Sequence, residues 1–148
     1  KKHGEYRLII LGEGKLKEEL HNLIEGLNLG DKIKLLGSKD DIVPYYLLSE
    51  YFISPSIIEG FGLAHVEALY CGLPVLTTKT AGPDEFVKEG KNGYFMDNTE
   101  AEILVALEKM ISVDVASLKK NVRQSILGYS IEETARKYND LIKLCLEI

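Results

Sequence analysis

The sequence has 148 residues, of which 45% are hydrophobic and 28% charged, a composition typical of a globular domain. The formal net charge of −5 argues against a nucleic-acid partner held by bulk electrostatics. The sequence has no signal-peptide pattern and no apolar run long enough for a membrane span, so neither is predicted. The two cysteines, Cys71 and Cys145, lie far apart and are predicted to be buried free thiols in a reducing compartment.

Apolar periodicity and turn residues divide the chain into strands and helices. The apolar run at residues 6–11 predicts a parallel strand buried on both faces, because parallel sheets are covered by helices. Further strands are predicted at residues 33–36, 51–54, 74–77 and 94–96. Helices are predicted at residues 16–30, 43–47, 63–71, 84–88, 102–111, 115–127 and 131–146, with residues 80–83 as a loop. This alternation predicts an α/β fold with a doubly wound parallel sheet, in three layers and one domain over residues 1–148.

The most informative stretch covers residues 54–69, where a strand gives way to a glycine-containing loop and then a helix. Two carboxylates, Glu59 and Glu67, flank Gly60, Phe61 and Gly62. The start of a helix attracts an anion such as a diphosphate, because its backbone N–H groups are free, and glycines allow a close approach. A carboxylate can accept two hydrogen bonds from a vicinal diol. The pattern therefore favours a nucleotide-activated sugar, which has two diols, and the alternative is an ordinary strand–loop–helix corner with surface glutamates.

Other candidate positions follow the predicted strands. The turn Gly12-Glu13-Gly14 lacks the third glycine of a dinucleotide-binding loop, since Lys17 stands there, so a tight turn near a ligand or a plain turn is predicted instead. The carboxyl ends of parallel strands share one edge of a sheet. The candidates expected at that edge are Gly12, Gly14, Gly37, Ser38, residues 59–62 and residues 81–83. His3, His21 and His65 share no metal-ligand spacing, and His65 is interpreted as a helix-face histidine.

Taken together, several segments resemble the signature of the family-four retaining glycosyltransferases. They are Pro55-Ser56, Glu59-Gly60-Phe61-Gly62-Leu63, Glu67-Ala68-Leu69, Gly72 and Pro74-Val75. The resemblance runs from residue 6 to about residue 96 and continues into the final helices. It implies a GT-B fold, in which two Rossmann-like domains face a cleft and the C-terminal domain holds most of the nucleotide-sugar donor. This sequence resembles that C-terminal domain.

The resemblance also implies roles for individual residues. Glu59, the candidate catalytic residue, would face hydroxyls of the donor sugar, and Glu67 would hold the ribose diol. Backbone N–H groups of Gly60, Phe61, Gly62 and Leu63 would meet the sugar and the diphosphate. Leu36, Gly37 and Ser38 would line the base pocket, Gly12 and Gly14 would form a glycine turn, and Glu85 and Val87 would organise a loop. The family generally needs no divalent ion, so no metal or other cofactor is expected. Glu13, Lys15 and residues 81–84 depart from the family pattern.

The expected partners also follow from the resemblance. The donor would be a UDP-, GDP- or ADP-sugar, and the acceptor a glycan, lipid or small molecule. Relatives carry an upstream Arg and Lys and an N-terminal acceptor domain, so this sequence is expected to be most of a donor domain, inactive alone, from a hexosyltransferase-type enzyme. That enzyme is expected in the cytoplasm, with any peripheral membrane association made through parts outside this sequence. Two alternatives remain open: a nucleotide-sugar epimerase of the same fold and a non-catalytic nucleotide-binding scaffold.

Overall fold

The structure, a computed structural model, describes residues 6–146. It divides into two compact units, the first reaching to Ile42 and the second beginning at Val43. The single domain and the three layers expected from the sequence remain predictions. His3, one of the three histidines considered above, lies outside the described residues.

The first unit consists of β1 (Leu8–Leu11), α1 (Lys17–Gly26) and β2 (Ile33–Gly37). The two strands pair in parallel, and the pairing register shifts between Ile10 and Leu11. The prediction that this first strand is buried on both faces is wrong, because Leu8 and Ile9 are 40% and 42% exposed. The described part of this unit has one helix to cover a two-stranded sheet, which leaves apolar strand surface in solvent.

The second unit contains three strands and six α-helices among its described residues. They are α2 (Val43–Leu48), β3 (Phe52–Ser54), α3 (Leu63–Tyr70), β4 (Val75–Thr78), α4 (Ala81–Phe86), β5 (Gly93–Met96), α5 (Glu100–Ser112), α6 (Val115–Ile126) and α7 (Ile131–Leu146), with a 3-10 turn over Leu127–Tyr129. The strands form a parallel sheet in the order β3-β4-β5, with β4 in the centre and buried along its whole length. The predicted α/β class with parallel strands is confirmed.

A hydrophobic core joins β4 and β5 to the helices that follow them. Its buried members are Leu76, Tyr94, Met96, Ala106, Met110 and Leu118. Burying an aliphatic side chain of this size contributes about 1.5–3 kcal/mol relative to leaving it exposed. The packing of its apolar side chains therefore holds the central strand in place. Its carboxyl end provides a rigid edge for the loops of the candidate site.

Helix ends explain where the predictions succeeded and failed. Helix α3, predicted over residues 63–71, ends in a Schellman motif at Gly72: Gly72 N–H donates to Leu69 O at 3.0 Å, and Leu73 N–H donates to Ala68 O at 2.9 Å. The predicted loop at residues 80–83 is wrong, since α4 begins at Ala81. Pro83 is tolerated there because the N–H groups of a first helical turn have no intrahelical acceptor.

The last helix, α7, has the predicted bounds, but its apolar stripe is exposed. Ile131 is 80% exposed and Tyr138 is 65% exposed. Cys145 on the same helix is also exposed, which corrects the prediction of a buried thiol, while Cys71 is half-buried, and both are free. Within the described range, none of the helices is long and apolar enough to cross a bilayer.

Candidate functional site

The loop between β3 and α3 is tied to the end of the neighbouring strand. The hydroxyl of Thr78, the last residue of β4, donates a hydrogen bond to the carbonyl oxygen of Ser56. The hydroxyls of Ser54 and Ser56 lie 3.0 Å apart and share a second hydrogen bond. Parallel pairing of β3 with β4 places both strand ends at the same edge, so these bonds fix where the loop starts.

Gly62 is the N-cap of α3 and adopts a left-handed conformation with φ +88°. Its carbonyl oxygen accepts from His65 N–H at 3.0 Å and from Val66 N–H at 3.1 Å, which closes the first turn. A side chain is excluded by the backbone angle and by space, because a Cβ on Gly62 would lie 2.8 Å from Nδ1 of His65. The chain thus enters α3 with the first N–H groups of the helix free of intrahelical acceptors, the arrangement that binds an anion.

Phe61 is held through both its backbone and its ring. A Cβ on Gly82, in the first turn of α4, would overlap the carbonyl group of Phe61, so only glycine permits this approach. The Phe61 ring packs edge-on against Phe86 at a centroid distance of 5.7 Å and lies 6.2 Å from the ring of Tyr129. The start of α4 therefore packs against the glycine loop and supports it. The sequence did not indicate this role of Gly82.

The two candidate carboxylates differ in their surroundings. Glu59 is half-buried in the loop, and Glu67 is exposed on α3. The Tyr46 hydroxyl lies 3.3 Å from Oε2 of Glu67 and 3.2 Å from the carbonyl oxygen of Ala64. Burial raises the pKa of Tyr46, and the Glu67 charge raises it further, so the phenol keeps its proton and acts as the donor. Tyr46 packs edge-on to Phe52, and its contact with Glu67 was not predicted from the sequence.

His65 occupies the core rather than an open helix face. Its side chain is 1% exposed, and Nε2 lies 2.9 Å from Oγ1 of Thr77 on β4. The ring lies edge-on to Phe52 at 5.2 Å. Burial lowers the pKa of His65, while the charge of Glu59 acts in the opposite direction. His65 lies on α3, as its interpretation as a helix-face histidine has it, and the structure adds that its imidazole is buried between α3 and β4.

The first unit brings its own candidate residues together. Gly12 N–H donates to Gly37 O at 2.9 Å, which joins the carboxyl ends of β1 and β2. Both carboxylate oxygens of Glu13 lie 3.0 Å from Nζ of Lys17, and the Lys17 ammonium lowers the pKa of Glu13, with further help from the Ser38 backbone. Of the candidates here, Gly37 is buried, whereas Gly12, Gly14 and Ser38 are exposed.

A cavity of about 170 Å³ lies beside this glycine turn. Its wall is mainly apolar, with Glu13 and Lys17 as the charged members. The apolar lining includes Ile10, Leu11, Leu16, Leu20 and Leu35. The first unit therefore offers an apolar surface next to a glycine turn and one ion pair.

The described residues contain no group of three or more His, Cys, Asp or Glu side chains arranged to hold a metal ion. The expectation that no metal is needed stays a prediction. Glu85, matched to a loop-organising glutamate, is exposed on α4. What the second unit assembles is a helix start with free N–H groups, flanked by a half-buried carboxylate and by a carboxylate held by a phenol. This arrangement can accept hydrogen bonds from hydroxyl groups and donate them to an anion.

Comparisons with known proteins identify the family of the chain. The family model described as glycosyl transferases group 1 matches residues 1–126. The alpha-monoglucosyldiacylglycerol synthase of Acholeplasma laidlawii is 32% identical, over 92% of this chain and 36% of its own length. An Escherichia coli UDP-Gal:alpha-D-GlcNAc-diphosphoundecaprenol alpha-1,3-galactosyltransferase is 31% identical, over 90% of this chain and 35% of its own length.

A solved structure has the same fold. Anabaena Alr3699/HepE, in complex with UDP and glucose, superposes with a TM-score of 0.75 at 26% identity, over 95% of this chain and 40% of that chain. The chain thus spans little more than a third of the length of the proteins it resembles. The expectation of a C-terminal domain of a group 1 glycosyltransferase with the GT-B fold is confirmed at the level of family and fold.

Proposed function

Because the chain belongs to the glycosyl transferases group 1 family, we propose that it binds the nucleoside diphosphate sugar donor of a retaining glycosyltransferase. The observation that carries this proposal is the start of α3. There the left-handed Gly62 opens the helix between Glu59 and Glu67. Charge accumulates on the leaving diphosphate in the transition state, and free N–H groups at a helix start stabilise such charge without reorganisation.

The roles we propose for the second unit follow the chemistry of each group. Glu59 accepts hydrogen bonds from the donor sugar and is the candidate catalytic residue. The backbone N–H groups of Gly60 to Leu63 bind the sugar and the diphosphate, and Glu67 accepts from the ribose diol. Tyr46 supports this last role, because its hydroxyl bonds one oxygen of Glu67 and leaves the other free for a ligand.

For the first unit, we propose contacts with the nucleobase. Gly12, Gly14, Gly37 and Ser38 share one strand edge next to an apolar cavity, and a planar base with polar rim atoms suits an apolar wall beside backbone polar groups. UDP is the nucleotide we propose first. Two findings support it: Alr3699/HepE was solved with UDP and glucose, and the Escherichia coli relative is named for UDP-Gal.

We further propose that the parent protein is a hexosyltransferase acting in the cytoplasm on a glycan, lipid or small molecule held by a separate acceptor domain. Two relatives support a lipid-linked acceptor through their names, one a diacylglycerol glycolipid synthase and the other a diphosphoundecaprenol galactosyltransferase. No divalent metal is assigned to the reaction, since helix N–H groups are proposed to stabilise the charge of the diphosphate.

The test is an NMR titration of the chain with UDP, GDP and ADP. We expect one of them to shift the amide resonances of Gly37, Gly62 and Glu67. Glu67→Ala should weaken its binding by about 1–3 kcal/mol, the cost of leaving polar groups unpaired. Glu108→Ala, which removes an exposed glutamate from α5, is the matched control and should bind like the native chain. Binding of none of the three nucleotides would contradict the proposal.

A further inference from the structure

We infer that His65 is a positioning residue for the donor diphosphate: it bonds Thr77 on β4 and holds the Gly62 peptide at the start of α3 in its anion-binding geometry. This inference rests on the proposed function, because it concerns the same diphosphate. It adds a residue that the sequence pattern did not connect with the donor. His65 does not touch the ligand in this role and acts through Gly62.

The two ring nitrogens of His65 face different partners. His65 lies in the first turn of α3 and is 1% exposed. Nε2 is bonded to Thr77, and Nδ1 lies against Gly62, since it would be 2.8 Å from a Cβ on that residue. The imidazole therefore links the central strand of the sheet to the residue that opens the helix.

The hydrogen bonds of Thr77 determine which nitrogen of His65 carries the proton. The hydroxyl of Thr77 donates its single proton to the carbonyl oxygen of Thr78 at 3.3 Å, so its oxygen accepts from Nε2–H of His65. A neutral imidazole has one proton, which leaves a lone pair on Nδ1 facing Gly62. Nδ1 is buried and makes no hydrogen bond to any part of the chain that the structure describes. A buried nitrogen of this kind costs stability, which suggests a role that outweighs the cost.

Protonation of His65 would change its contact with Gly62. A protonated Nδ1 would be able to donate to the Gly62 backbone. The Gly62 carbonyl oxygen already accepts the first two hydrogen bonds of α3, from His65 N–H and Val66 N–H. An imidazolium would add a third donor to that oxygen and a positive charge beside the loop, whereas the neutral ring leaves the two helix bonds as they are. The neutral form is thus the one that keeps the N–H groups of the loop in place.

The surroundings of the ring favour this neutral form. Phe52 on β3 and Phe86 on α4 face it edge-on at 5.2 and 6.4 Å, and β4 contributes the uncharged Thr77. The loop contributes Glu59, the charged group whose field acts on the imidazole. Burial outweighs this charge, so His65 is neutral at pH 7 and acquires a proton only below the usual pKa of histidine, about 6.5.

The experiment compares two ligands and a range of pH. The ligands are the nucleoside diphosphate that binds the native chain, among UDP, GDP and ADP, and the matching nucleoside without phosphates. We expect His65→Leu and Thr77→Val to weaken binding of the diphosphate about tenfold, equivalent to 1.4 kcal/mol. The nucleoside should bind unchanged. Thr77→Ser, which restores the hydroxyl, should rescue diphosphate binding. A purely structural role would lower the affinity for both ligands alike.

The pH profile supplies an independent readout. Below pH 6.5 the diphosphate affinity of the native chain should change relative to that of His65→Gln, because a protonated imidazole adds a positive charge and a donor beside Gly62, whereas the glutamine amide can keep the bond to Thr77 and does not titrate. Phosphate itself titrates near pH 6, so the difference between the two proteins carries the test. If His65→Leu does not fold, the Thr77 pair and this profile decide the question.

The outcomes separate the two claims. If the native chain binds a diphosphate but neither the Thr77 variants nor pH alter its selectivity, the role of His65 is overturned and the proposed function stands. If the native chain binds none of the three diphosphates, the proposed function fails and the role of His65 fails with it.

Discussion

The hydroxyl of Tyr46 lies 3.3 Å from Oε2 of Glu67, although the two residues are 21 positions apart in sequence. Tyr46 reaches Glu67 from α2, and its ring is buried edge-on against Phe52. Because the phenol remains protonated, its one proton is shared between this carboxylate and the carbonyl oxygen of Ala64, and the contact restricts the rotamers of Glu67. An exposed glutamate on α3 thereby acquires a defined orientation, which a residue that binds a diol requires.

Tyr46→Phe should therefore weaken nucleoside diphosphate binding about threefold to tenfold and lower the free energy of unfolding by about 1 kcal/mol, the net value of a hydrogen bond. Isothermal titration calorimetry and urea denaturation measure the two effects. Tyr45→Phe, one residue away on the same helix, is the matched control. On a Glu67→Ala background the Tyr46 change should cost no further affinity, and an additive loss would show that the two residues act independently.

Gly82→Ala should impair the same site from a different direction. Its new Cβ overlaps the Phe61 carbonyl group, so the glycine loop must move. We expect at least about tenfold weaker diphosphate binding, or 1.4 kcal/mol, with changed amide shifts at residues 60–62. Gly128→Ala is the control, because a Cβ there has open space and the backbone is not left-handed. Native affinity in Gly82→Ala would mean that the loop tolerates displacement.

Asn92 should matter for stability rather than for binding. Its side chain is fully buried, accepts from Lys88 N–H at 2.7 Å, and donates to Phe86 O at 2.9 Å and to Oγ of Ser125 at 2.8 Å. Asn92→Ala leaves these groups unpaired and should lower the free energy of unfolding by about 2–4 kcal/mol.

Two comparisons check the Asn92 prediction. Ser125→Ala removes one of the three bonds and should cost about 1 kcal/mol. Lys91→Ala, at an exposed neighbouring position, should stay within about 0.5 kcal/mol of the native chain. Equal denaturation midpoints for Asn92→Ala and Lys91→Ala would contradict the assignment.

The stability of the chain should depend on His65 at mildly acidic pH. The folded pKa of His65 is lowered, so the unfolded chain binds more protons and stability rises with pH in this range. The contribution is complete above the unfolded pKa, about 6.5, and is lost as pH falls through the folded pKa. Urea midpoints should therefore drop between pH 7.5 and 5.5 in the native chain and drop less in His65→Gln. His21→Gln, on the exposed α1, should retain the native drop.

Local patterns predicted most of the fold. The 3.6-residue periodicity gave α7 its observed bounds, and the glycine at residue 72 ended α3 as expected. The start of α4 was missed because Gly82 and Pro83 are common in loops, whereas the first turn of a helix accepts both. The burial of β1 was overestimated for a different reason. An apolar run specifies a strand, but the elements available to cover it lie elsewhere in the chain.

The candidate site was predicted only where its chemistry is carried by a continuous motif. Residues Glu59 to Glu67 are a continuous stretch of sequence, and the structure keeps them together as one loop and the helix that follows it. The contributions of Tyr46, His65 and Gly82 depend on partners distant in sequence, namely Glu67, Thr77 and Phe61. Tyr46 and Gly82 also have ordinary packing roles, so nothing in their local spacing distinguishes them.

The contrast in burial between β4 and β1 has a consequence for amide hydrogen exchange. All four residues of β4 are buried, while β1 has two exposed residues and belongs to a unit with few buried side chains. Local opening requires less free energy where little apolar surface is covered. The amides of β1 should therefore exchange through sub-global fluctuations, and those of β4 only when the second unit unfolds. A nucleobase contacting the first unit would then slow amide exchange in β1. The exchange rate of this strand would report whether the nucleobase is bound.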